Sequence, residues 1–444
     1  MAEIVPFAGL RFDVARVGDA ARVLAPPYDV IGEAERSDLE AREAHNIVRV
    51  ELPRGEGDAR YGVAANLLRA WIAEGVLRRE PAPAMYVYEQ RFSWAGKEYT
   101  RQGLIAALRL EPFEKRVVLP HEHTMTGPKE DRRRLLLATR TQISQVFGLY
   151  RDPDGAALAD LDAITAAEPA VDATMPDGTR HRLWVVTEAA RINHLANVIR
   201  DKQVLIADGH HRYETMVSLR GELRGAGGAG AREPADYGAM YLARAEDPGL
   251  LVLPTHRLVK NLEDWSLTAF LSGASAAFDI IPGEETTAQA CEARLAELRA
   301  GQEGQNAGAP RVVFGVRAAG KRGPTWLVLK PIADLSALGP PALRALDVTV
   351  LHGVLLGPLL GIDDAAMANQ TNLAYTHDTS EALARVDAGE IQAAFLMNAT
   401  SVEQVLEACE QGHVLPQKST YFQPKLATGL VMYPVERGTL SPSR

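Results

Sequence analysis

The segment that most constrains the fold is an apolar run that passes directly into a polar turn and then a helix. Val204, Leu205 and Ile206 are followed by Asp-Gly-His-His-Arg at 208–212, and the sequence continues as HHRYETMVSLRGEL. The apolar run is typical of a buried strand, and the spacing after it is typical of a helix. The chain must therefore place a strand, a tight turn and a helix in immediate succession.

The turn between that strand and helix has the residue types of an anion-binding site. The first amide groups of a helix have no partner within the helix, and Gly209 would let a ligand approach them closely. Arg212 could clamp a phosphate or carboxylate, and the helix dipole favours the same negative group. Asp208 would repel phosphate unless it caps the helix, holds magnesium, or orients His210 or His211. An ordinary capped turn also fits these residues, so both interpretations stay open.

A second polar segment contains His121, Glu122 and His123. On an extended backbone the two histidines point to one face and the glutamate to the other. This spacing suits a metal ion, or one ligand held by two donors. A histidine-containing surface loop is the alternative.

A basic helix is predicted after this segment, entered at Pro128. Lys129, Arg132 and Arg133 would share one face of that helix. The face is a candidate for a second phosphate cradle, although a solvated basic surface has the same pattern.

Two more segments are rich in hydrogen-bonding groups. In APPYDVI, Tyr28 and Asp29 follow a Pro-Pro pair that fixes the backbone, and a simple tight turn would explain this segment equally well. Near the carboxyl end, QKSTYFQPKL contains Lys418 and Ser419. Tyr28, Asp29, Lys418 and Ser419 are therefore candidates for substrate binding. We also expect the carboxy-terminal segment to return to the main site.

Composition and charge exclude several classes of protein. Hydrophobic residues make up 46% and charged residues 24% of the chain, and no apolar run reaches the roughly 18 residues that a membrane span needs. The amino terminus does not have the pattern of an export signal, so we expect a cytoplasmic protein. The net charge of −9 argues against general nucleic-acid binding. Cys291 and Cys409 support neither a disulfide framework nor a cysteine metal site.

The order of the predicted elements indicates an α+β (mixed α/β) fold. A helix is predicted within 60–77, and two strands around a Trp-Ala-Gly-Lys turn, followed by a third strand, within 84–110. At 444 residues the chain is too long for one ordinary domain. We expect a first domain over 1–250, an α/β domain over 251–340 and a carboxy-terminal segment over 341–444.

Six motifs in a fixed order resemble a known family. They are APPYDVI, HEHTMTGPKEDR, SQVFGLY, ADGHHRYETM, LPTHRLV and LPQKSTYFQPKLATGL. Together they resemble the bacterial and archaeal proteins grouped as a domain of unknown function, DUF1015, over most of the chain. The DGHHR element is also similar to the phosphate-binding motif of the ParB/sulfiredoxin-like superfamily, which includes nucleotide-dependent kinases of free L-serine.

This second resemblance implies a nucleotide-binding core in the first domain, with ATP or ADP and Mg²⁺ as cofactors. It implies that Asp208, Gly209, His210, His211 and Arg212 form the phosphate-handling set, with Asp208 as a magnesium ligand. It also implies a carboxylate base, for which Glu122 and Asp29 are candidates. Sulfiredoxin's reactive cysteine has no counterpart here, and the DNA-binding helices of ParB are not evident.

Three functions remain open at this stage. The first is a nucleotide-dependent kinase of a small hydroxylated metabolite, with free L-serine as the best guess. Its phosphates would be held by Gly209, Arg212, Lys129, Arg132, His121 and His123. The second is a metal-dependent hydrolase built on His121, His123, His210, His211 and Asp208. The third is a nucleotide-binding protein without turnover, and a homo-oligomer is compatible with all three.

Overall fold

The computed structural model describes residues 1–122, 126–224, 232–301 and 311–440. The chain forms two compact units. The described residues of the first unit fall within Met1–Pro120, Thr124–Leu251 and Pro424–Arg444, and those of the second within His121–His123 and Val252–Gln423. This division into two units differs from the three segments expected from the sequence. The sheet of the second unit contains strands from before and after residue 340, and the carboxyl end belongs to the first unit.

The first unit combines helices with a large mixed sheet. Its strands are Ile4–Val5, Leu10–Phe12, Leu77–Arg79, Met85–Trp94, Lys97–Arg109, Val118–Leu119, Thr141–Gln142, Val146–Tyr150, Val171–Thr174, Arg180–Val186, Val204–Asp208, Tyr237–Arg244 and Tyr433–Pro434. Its α-helices are Val14–Val17, Glu33–Arg42, Val48–Glu51, Ala59–Ala73, Thr126–Thr139, Leu158–Thr165, Ala189–Arg200 and His210–Leu223. Short 3₁₀ turns occur at Ala20–Arg22, Phe113–Lys115 and Pro234–Asp236.

The strand that leads into the polar turn lies inside the large sheet. The strand order is Val118–Leu119, Val204–Asp208, Val146–Tyr150, Tyr237–Arg244, Lys97–Arg109, Met85–Trp94, Arg180–Val186 and Val171–Thr174. Val204–Asp208 pairs parallel with its neighbour on one side and antiparallel with its neighbour on the other. Consecutive side chains from Val204 to Ala207 are buried, so both faces of the strand are covered, which explains why this run is continuously apolar.

The hairpin predicted around the Trp-Ala-Gly-Lys turn is confirmed in its first two strands. Met85–Trp94 pairs antiparallel with Lys97–Arg109, from Trp94 opposite Lys97 to Tyr86 opposite Ile105. The predicted third strand is wrong, because the second and third runs form one continuous strand. Buried and more exposed residues are mixed in the first half of this strand, and consecutive residues are buried in its second half. The extended backbone continues without a break between the two halves.

A helical layer supports the basic helix of the site. The helix Ala59–Ala73, predicted within 60–77, buries Leu68 and Trp71 in a core that also contains Leu135 of the helix Thr126–Thr139. The apolar contact fixes the second helix against the first and thereby sets the direction of the basic side chains on its other faces. This helix begins at Thr126, two residues before the predicted entry.

The second unit has its own sheet and helices. Its strands are Leu251–Val252, His256–Val259, Phe278–Pro282, Val313–Ala318, Thr325–Leu329, Leu373–Thr376, Ala393–Leu396 and Phe422–Gln423. Its α-helices are Leu267–Ala274, Ala288–Ala300, Pro341–Arg344, Asp347–Val350, Gly357–Leu360, Asp364–Ala368, Thr379–Asp387 and Val402–Glu410. A π-helical segment, Leu351–Leu356, and a 3₁₀ turn, Ser336–Leu338, complete it.

The main sheet of the second unit is antiparallel. Its order is Phe278–Pro282, Thr325–Leu329, Val313–Ala318, Ala393–Leu396, His256–Val259 and Leu373–Thr376. Both units mix helices and sheets, so the α+β fold class is confirmed. None of the helices among the described residues is long and apolar enough to cross a lipid bilayer.

Candidate functional site

The strand and helix predicted at the polar turn are both present, joined by a single glycine. The strand Val204–Asp208 carries a bulge between Ile206 and Asp208, where it advances two residues against one on the neighbouring strand. Bulges re-aim the side chains that follow them. Gly209 adopts a left-handed conformation with φ of 94° at the start of the helix His210–Leu223. The bulge and the glycine together set the direction of Asp208 at the helix amino terminus.

Asp208 forms ion pairs with two cations. Its Oδ2 lies 2.5 Å from Arg212 Nη2, and its Oδ1 pairs with Lys425 Nζ. The carboxylate does not cap the helix, which has no side-chain cap. Burial by itself raises the pKa of Asp208, but Lys425 and Arg212 outweigh it and lower the pKa to about 2. The carboxylate is therefore ionised at neutral pH, with its side chain 16% exposed.

We predict that these ion pairs contribute to stability above about pH 4 and are lost in acid. The folded pKa of about 2 lies below the ordinary 3.8, so the unfolded state takes up the proton first as pH falls. The contribution amounts to about 2 kcal/mol, lost between roughly pH 5 and pH 2. Urea unfolding across this range should show a shallower pH dependence for Asp208→Asn than for wild type. Asp154→Asn, at an exposed site, is the control and should keep the wild-type slope.

Arg212 is held from several sides and not free to clamp a ligand. Besides Asp208, its guanidinium donates from Nη1 to the carbonyl of Gln145 and to Ser144 Oγ at 3.2 Å. The side chain is buried. The predicted bidentate phosphate clamp therefore differs from what the structure shows, because these atoms already have protein partners. Arg212 positions the Asp208 carboxylate instead.

A buried glutamate, Glu51, continues the network toward the basic helix. Ser144 Oγ donates to Glu51 Oε1 at 3.2 Å, and Arg132 Nη1 lies 3.2 Å from the same oxygen. The guanidinium of Arg132 stacks over the ring of Tyr28, with 4.2 Å between the guanidinium carbon and the ring centre. Sequence reasoning missed Glu51, since nothing in ELPRGEG distinguishes it from a surface acid.

Tyr28 is a neutral phenol in this cluster, and Asp29 is exposed beside it. Burial raises the pKa of Tyr28 to about 12, although Arg212 and Arg132 act in the opposite direction. Tyr28 follows the Pro-Pro turn and lies in this polar network. The sequence offers it as a candidate site residue. Its role in binding a substrate stays a prediction.

A small cavity with a mainly apolar lining adjoins the Arg212 side chain. It has a volume of about 40 Å³, and its walls include Glu51, Arg132, Arg212 and Thr215. Within the described residues, Arg212 Nε and Thr215 Oγ1 are buried without a hydrogen-bond partner. A cavity of this volume has room for a water molecule, which these two groups would bind. The cavity is too small for a nucleotide.

The carboxy-terminal segment supplies Lys425 to this site. Gln90 Nε2 donates to the carbonyl of Lys425 at 2.9 Å, and Arg101 Nη2 donates to that of Pro424 at 2.6 Å. Farther along, Thr428 and Ala25 exchange two backbone hydrogen bonds. The tail therefore contributes Lys425 to this site, whereas Lys418 and Ser419 belong to the second unit.

The basic helix face is neutralised by acidic partners. Lys129 pairs with Glu214, and Arg133 with Glu222, both on the helix His210–Leu223. Arg132 is buried between Glu51 and Asp131. Lys129 and Arg133 thus link two helices, and all three cations proposed for a second phosphate cradle have acidic partners, so a cradle on this face requires these ion pairs to open.

The remaining candidates are distributed over both units. His210 is buried and His211 half-buried in the first turn of the site helix. His121 and Glu122 belong to the second unit, where Thr420 Oγ1 lies 2.8 Å from His121 Nε2. Lys418 and Ser419 also belong to the second unit. His123 lies outside the described residues.

The model of a family described as "Protein of unknown function (DUF1015)" matches residues 4–349. No curated protein matches the chain.

Several solved structures show a distant likeness. A conserved hypothetical protein from Pyrococcus furiosus is 15% identical, with 71% of this chain and 92% of that chain covered and a TM-score of 0.33. A free serine kinase in complex with AMP is 13% identical, with 71% and 89% covered and a TM-score of 0.33. SbnI with a carboxy-terminal truncation, from Staphylococcus aureus, is 10% identical, with 74% and 87% covered and a TM-score of 0.33.

Proposed function

Since the chain belongs to the family described as Protein of unknown function (DUF1015), we propose a function from its own site: phosphoryl transfer from ATP or ADP to a small hydroxylated metabolite. Free L-serine is the first acceptor to test. One observation carries this proposal. An ionised carboxylate, Asp208, held by Lys425 and Arg212, adjoins a left-handed glycine at the amino terminus of a long helix.

The helix terminus suits the phosphates of a nucleotide. The first turn of a helix carries amide groups without intrahelical partners, and its dipole favours negative charge. Gly209 and His210 begin this turn. Lys425, whose side chain is 15% exposed, adds a cation at the same place. Arg212 keeps the carboxylate in position and contributes its charge through Asp208, without a direct contact to the ligand.

The residues also fit a magnesium ion that arrives with the nucleotide. Mg²⁺ is usually held by one or two carboxylates together with substrate phosphates, and Asp208 supplies one ionised carboxylate. When bound, the ion supplies neutralisation of phosphate charge. In its absence, Lys425 and Arg212 balance Asp208, so the site is stable without a ligand.

A proton acceptor for the substrate hydroxyl is needed as well. Asp29 is exposed, adjoins Tyr28 and acts electrostatically on Arg212. We propose Asp29 as the base within the first unit; Glu122, the other candidate from the sequence, belongs to the second unit. We also propose the ParB/sulfiredoxin-like assignment for the first unit, on the resemblance of its DGHHR element, and a cytoplasmic location.

The metal-dependent hydrolase finds no support in the described part of the chain. No group of three or more His, Cys, Asp and Glu side chains is arranged there to hold a metal ion. Asp208 pairs with Lys425 and Arg212. The kinase hypothesis explains this arrangement better, since Lys425 and Arg212 suit a site that handles negative charge.

The proposal is tested by incubating the full chain with ATP or ADP, Mg²⁺ and L-serine and measuring phosphoserine by mass spectrometry. Asp208→Asn is expected to lower the rate about 100-fold, in the range typical for a group that acts on the transferring phosphoryl group. Asp154→Asn is the matched control and should keep wild-type activity. Nucleotide binding without product with any of several small hydroxylated acceptors would instead support a binding protein, and no nucleotide binding at all would contradict the proposal.

A further inference from the structure

The second unit contains a buried arginine, Arg257, that is not paired with an acid. Arg257 is 1% exposed and lies on the strand His256–Val259. Its Nη2 donates to the carbonyls of Gln417 at 3.4 Å and Lys418 at 3.1 Å, and its Nη1 to the carbonyl of Thr255. Among residues 1–122, 126–224, 232–301 and 311–440, no carboxylate lies within ion-pair distance of it, and its Nε has no hydrogen-bond partner.

This arrangement differs from that of Arg212 and Arg132 in the first unit and of Arg317 in the same unit, each of which pairs with a carboxylate. Arg317 Nη2 lies 2.5 Å from Asp387 Oδ1, as Arg212 lies beside Asp208. Burial lowers the pKa of Arg257 to about 10, which shows that its surroundings oppose the charged form. A buried charge without an opposite charge is costly. A site for an anion explains why such a charge is kept.

The surroundings of Arg257 contain a second unsatisfied group. His352 Nε2 is buried without a hydrogen-bond partner in the described residues. Burial, followed by the charge of Arg257, lowers the pKa of His352 to about 3, so the ring is neutral. His352 lies on the π-helical segment Leu351–Leu356, and such segments are frequent at functional sites. The two orphaned nitrogens belong to side chains that act on each other electrostatically.

The loop that covers Arg257 is strained at one residue. Lys418 has φ of 58°, in the left-handed region that a residue with a side chain rarely adopts. This conformation costs about 1 kcal/mol. The loop is held by its backbone, because Thr400 Oγ1 donates to the carbonyl of Ser419 at 3.0 Å. The Lys418 side chain itself is exposed.

We propose that Arg257 and Lys418 form an oxyanion-binding site of the second unit, which takes a phosphate or carboxylate group. The ligand replaces the carbonyls of Gln417 and Lys418 at Arg257 Nη2 as the strained loop opens, and the Lys418 ammonium group then contacts it. This site lies in the other unit from Asp208 and does not depend on the proposed kinase function. The tail motif QKSTYFQPK thus has two separate parts, with Lys418 acting here and Lys425 at the site of the first unit.

The test uses the full chain and three probes at constant ionic strength: inorganic phosphate, malonate and chloride. Limited trypsin digestion reports cleavage after Lys418, and calorimetry reports binding. Because the bound oxyanion engages the Lys418 ammonium group that trypsin must recognise, phosphate or malonate, but not chloride, is expected to slow cleavage after Lys418 at least fivefold, even though the loop has opened. A response to phosphate alone assigns a phosphate ligand, whereas a response to malonate alone assigns a carboxylate.

Variants separate this site from that of the first unit. Arg257→Gln should abolish the protection, and Lys418→Ala, which removes the cleavage site, should weaken oxyanion binding at least fivefold by calorimetry. Lys321→Ala, at an exposed lysine of the same unit, should behave as wild type. Lys425→Met should keep the protection even if it eliminates nucleotide binding. If Arg257→Gln does not fold, Lys418→Ala decides alone. Equal responses to all three probes, or equal binding by Lys418→Ala and Lys321→Ala, would overturn the proposal.

Discussion

Replacing Arg212 by methionine is expected to lower the free energy of unfolding by about 3–5 kcal/mol, because it breaks a buried ion pair from one side. The substitution leaves Asp208 with Lys425 as its remaining cation. It also removes the donors to Gln145 O and Ser144 Oγ, and a buried acceptor without its donor adds to the loss. Chemical denaturation followed by circular dichroism measures the change.

A double-mutant cycle shows whether the loss comes from the ion pair. Adding Asp208→Asn to Arg212→Met removes the carboxylate that has lost one of its two cations, so the double variant should be less destabilised than the sum of the single variants by at least about 1 kcal/mol. Arg180→Met is the matched control, since Arg180 forms an exposed pair with Asp172 and such pairs contribute roughly 0–1 kcal/mol. If Arg212→Met cost no more than this control, the central position given to Arg212 would be wrong.

The parts of the fold that depend on neighbouring residues could be predicted from the sequence. The strand Val204–Asp208 and the helix His210–Leu223 follow from an apolar run, a glycine and helical spacing, all within twenty residues. The hairpin Met85–Trp94 with Lys97–Arg109 follows from local alternation around a glycine turn. Such patterns record which face of an element is buried, and this information is local.

The partners of the site could not be predicted in the same way. Lys425 lies 217 residues from Asp208 along the chain, and the motif around it offered Lys418 and Ser419 as equally good candidates. The distinction depends on where the chain crosses between the units, at Pro424. Lys425 lies two residues beyond the end of the second unit. This position distinguishes it from Lys418, but the end of the unit can be recognised only once the fold is known.

The protein partners of Arg212 could not be predicted either, for a physical reason. A sequence shows that an arginine follows a glycine turn, but not whether carbonyls and carboxylates of other strands already surround it. Gln145 and Ser144 come from the segment before the strand Val146–Tyr150, which is the sheet neighbour of Val204–Asp208. Sheet pairing therefore brings protein hydrogen-bond acceptors to the guanidinium of Arg212, which the sequence predicts as a ligand clamp.

Replacing Gly209 by alanine is expected to lower the free energy of unfolding by about 2–4 kcal/mol and to impair nucleotide binding. At φ of 94° an L side chain is strained, which costs about 1–2 kcal/mol. The added Cβ would also lie 2.9 Å from Arg212 Nε and Nη2 and 3.0 Å from its Cζ. The guanidinium is buried and bonded on three sides, so it cannot move away without loosening its contact with Asp208. The glycine thus serves the packing of Arg212, besides leaving room for a ligand.

Two matched substitutions separate strain from crowding. Gly62→Ala lies in the helix Ala59–Ala73, where an added Cβ meets nothing within 4 Å, and it should stabilise the protein by up to about 1 kcal/mol. Gly209→Asn tolerates the left-handed backbone better than alanine but carries the same Cβ. If crowding of Arg212 is the main cost, asparagine should be at least as harmful as alanine in thermal unfolding and in nucleotide titration. A nearly wild-type Gly209→Asn would assign the glycine to backbone strain alone, and the link between Gly209 and Arg212 would then have to be abandoned.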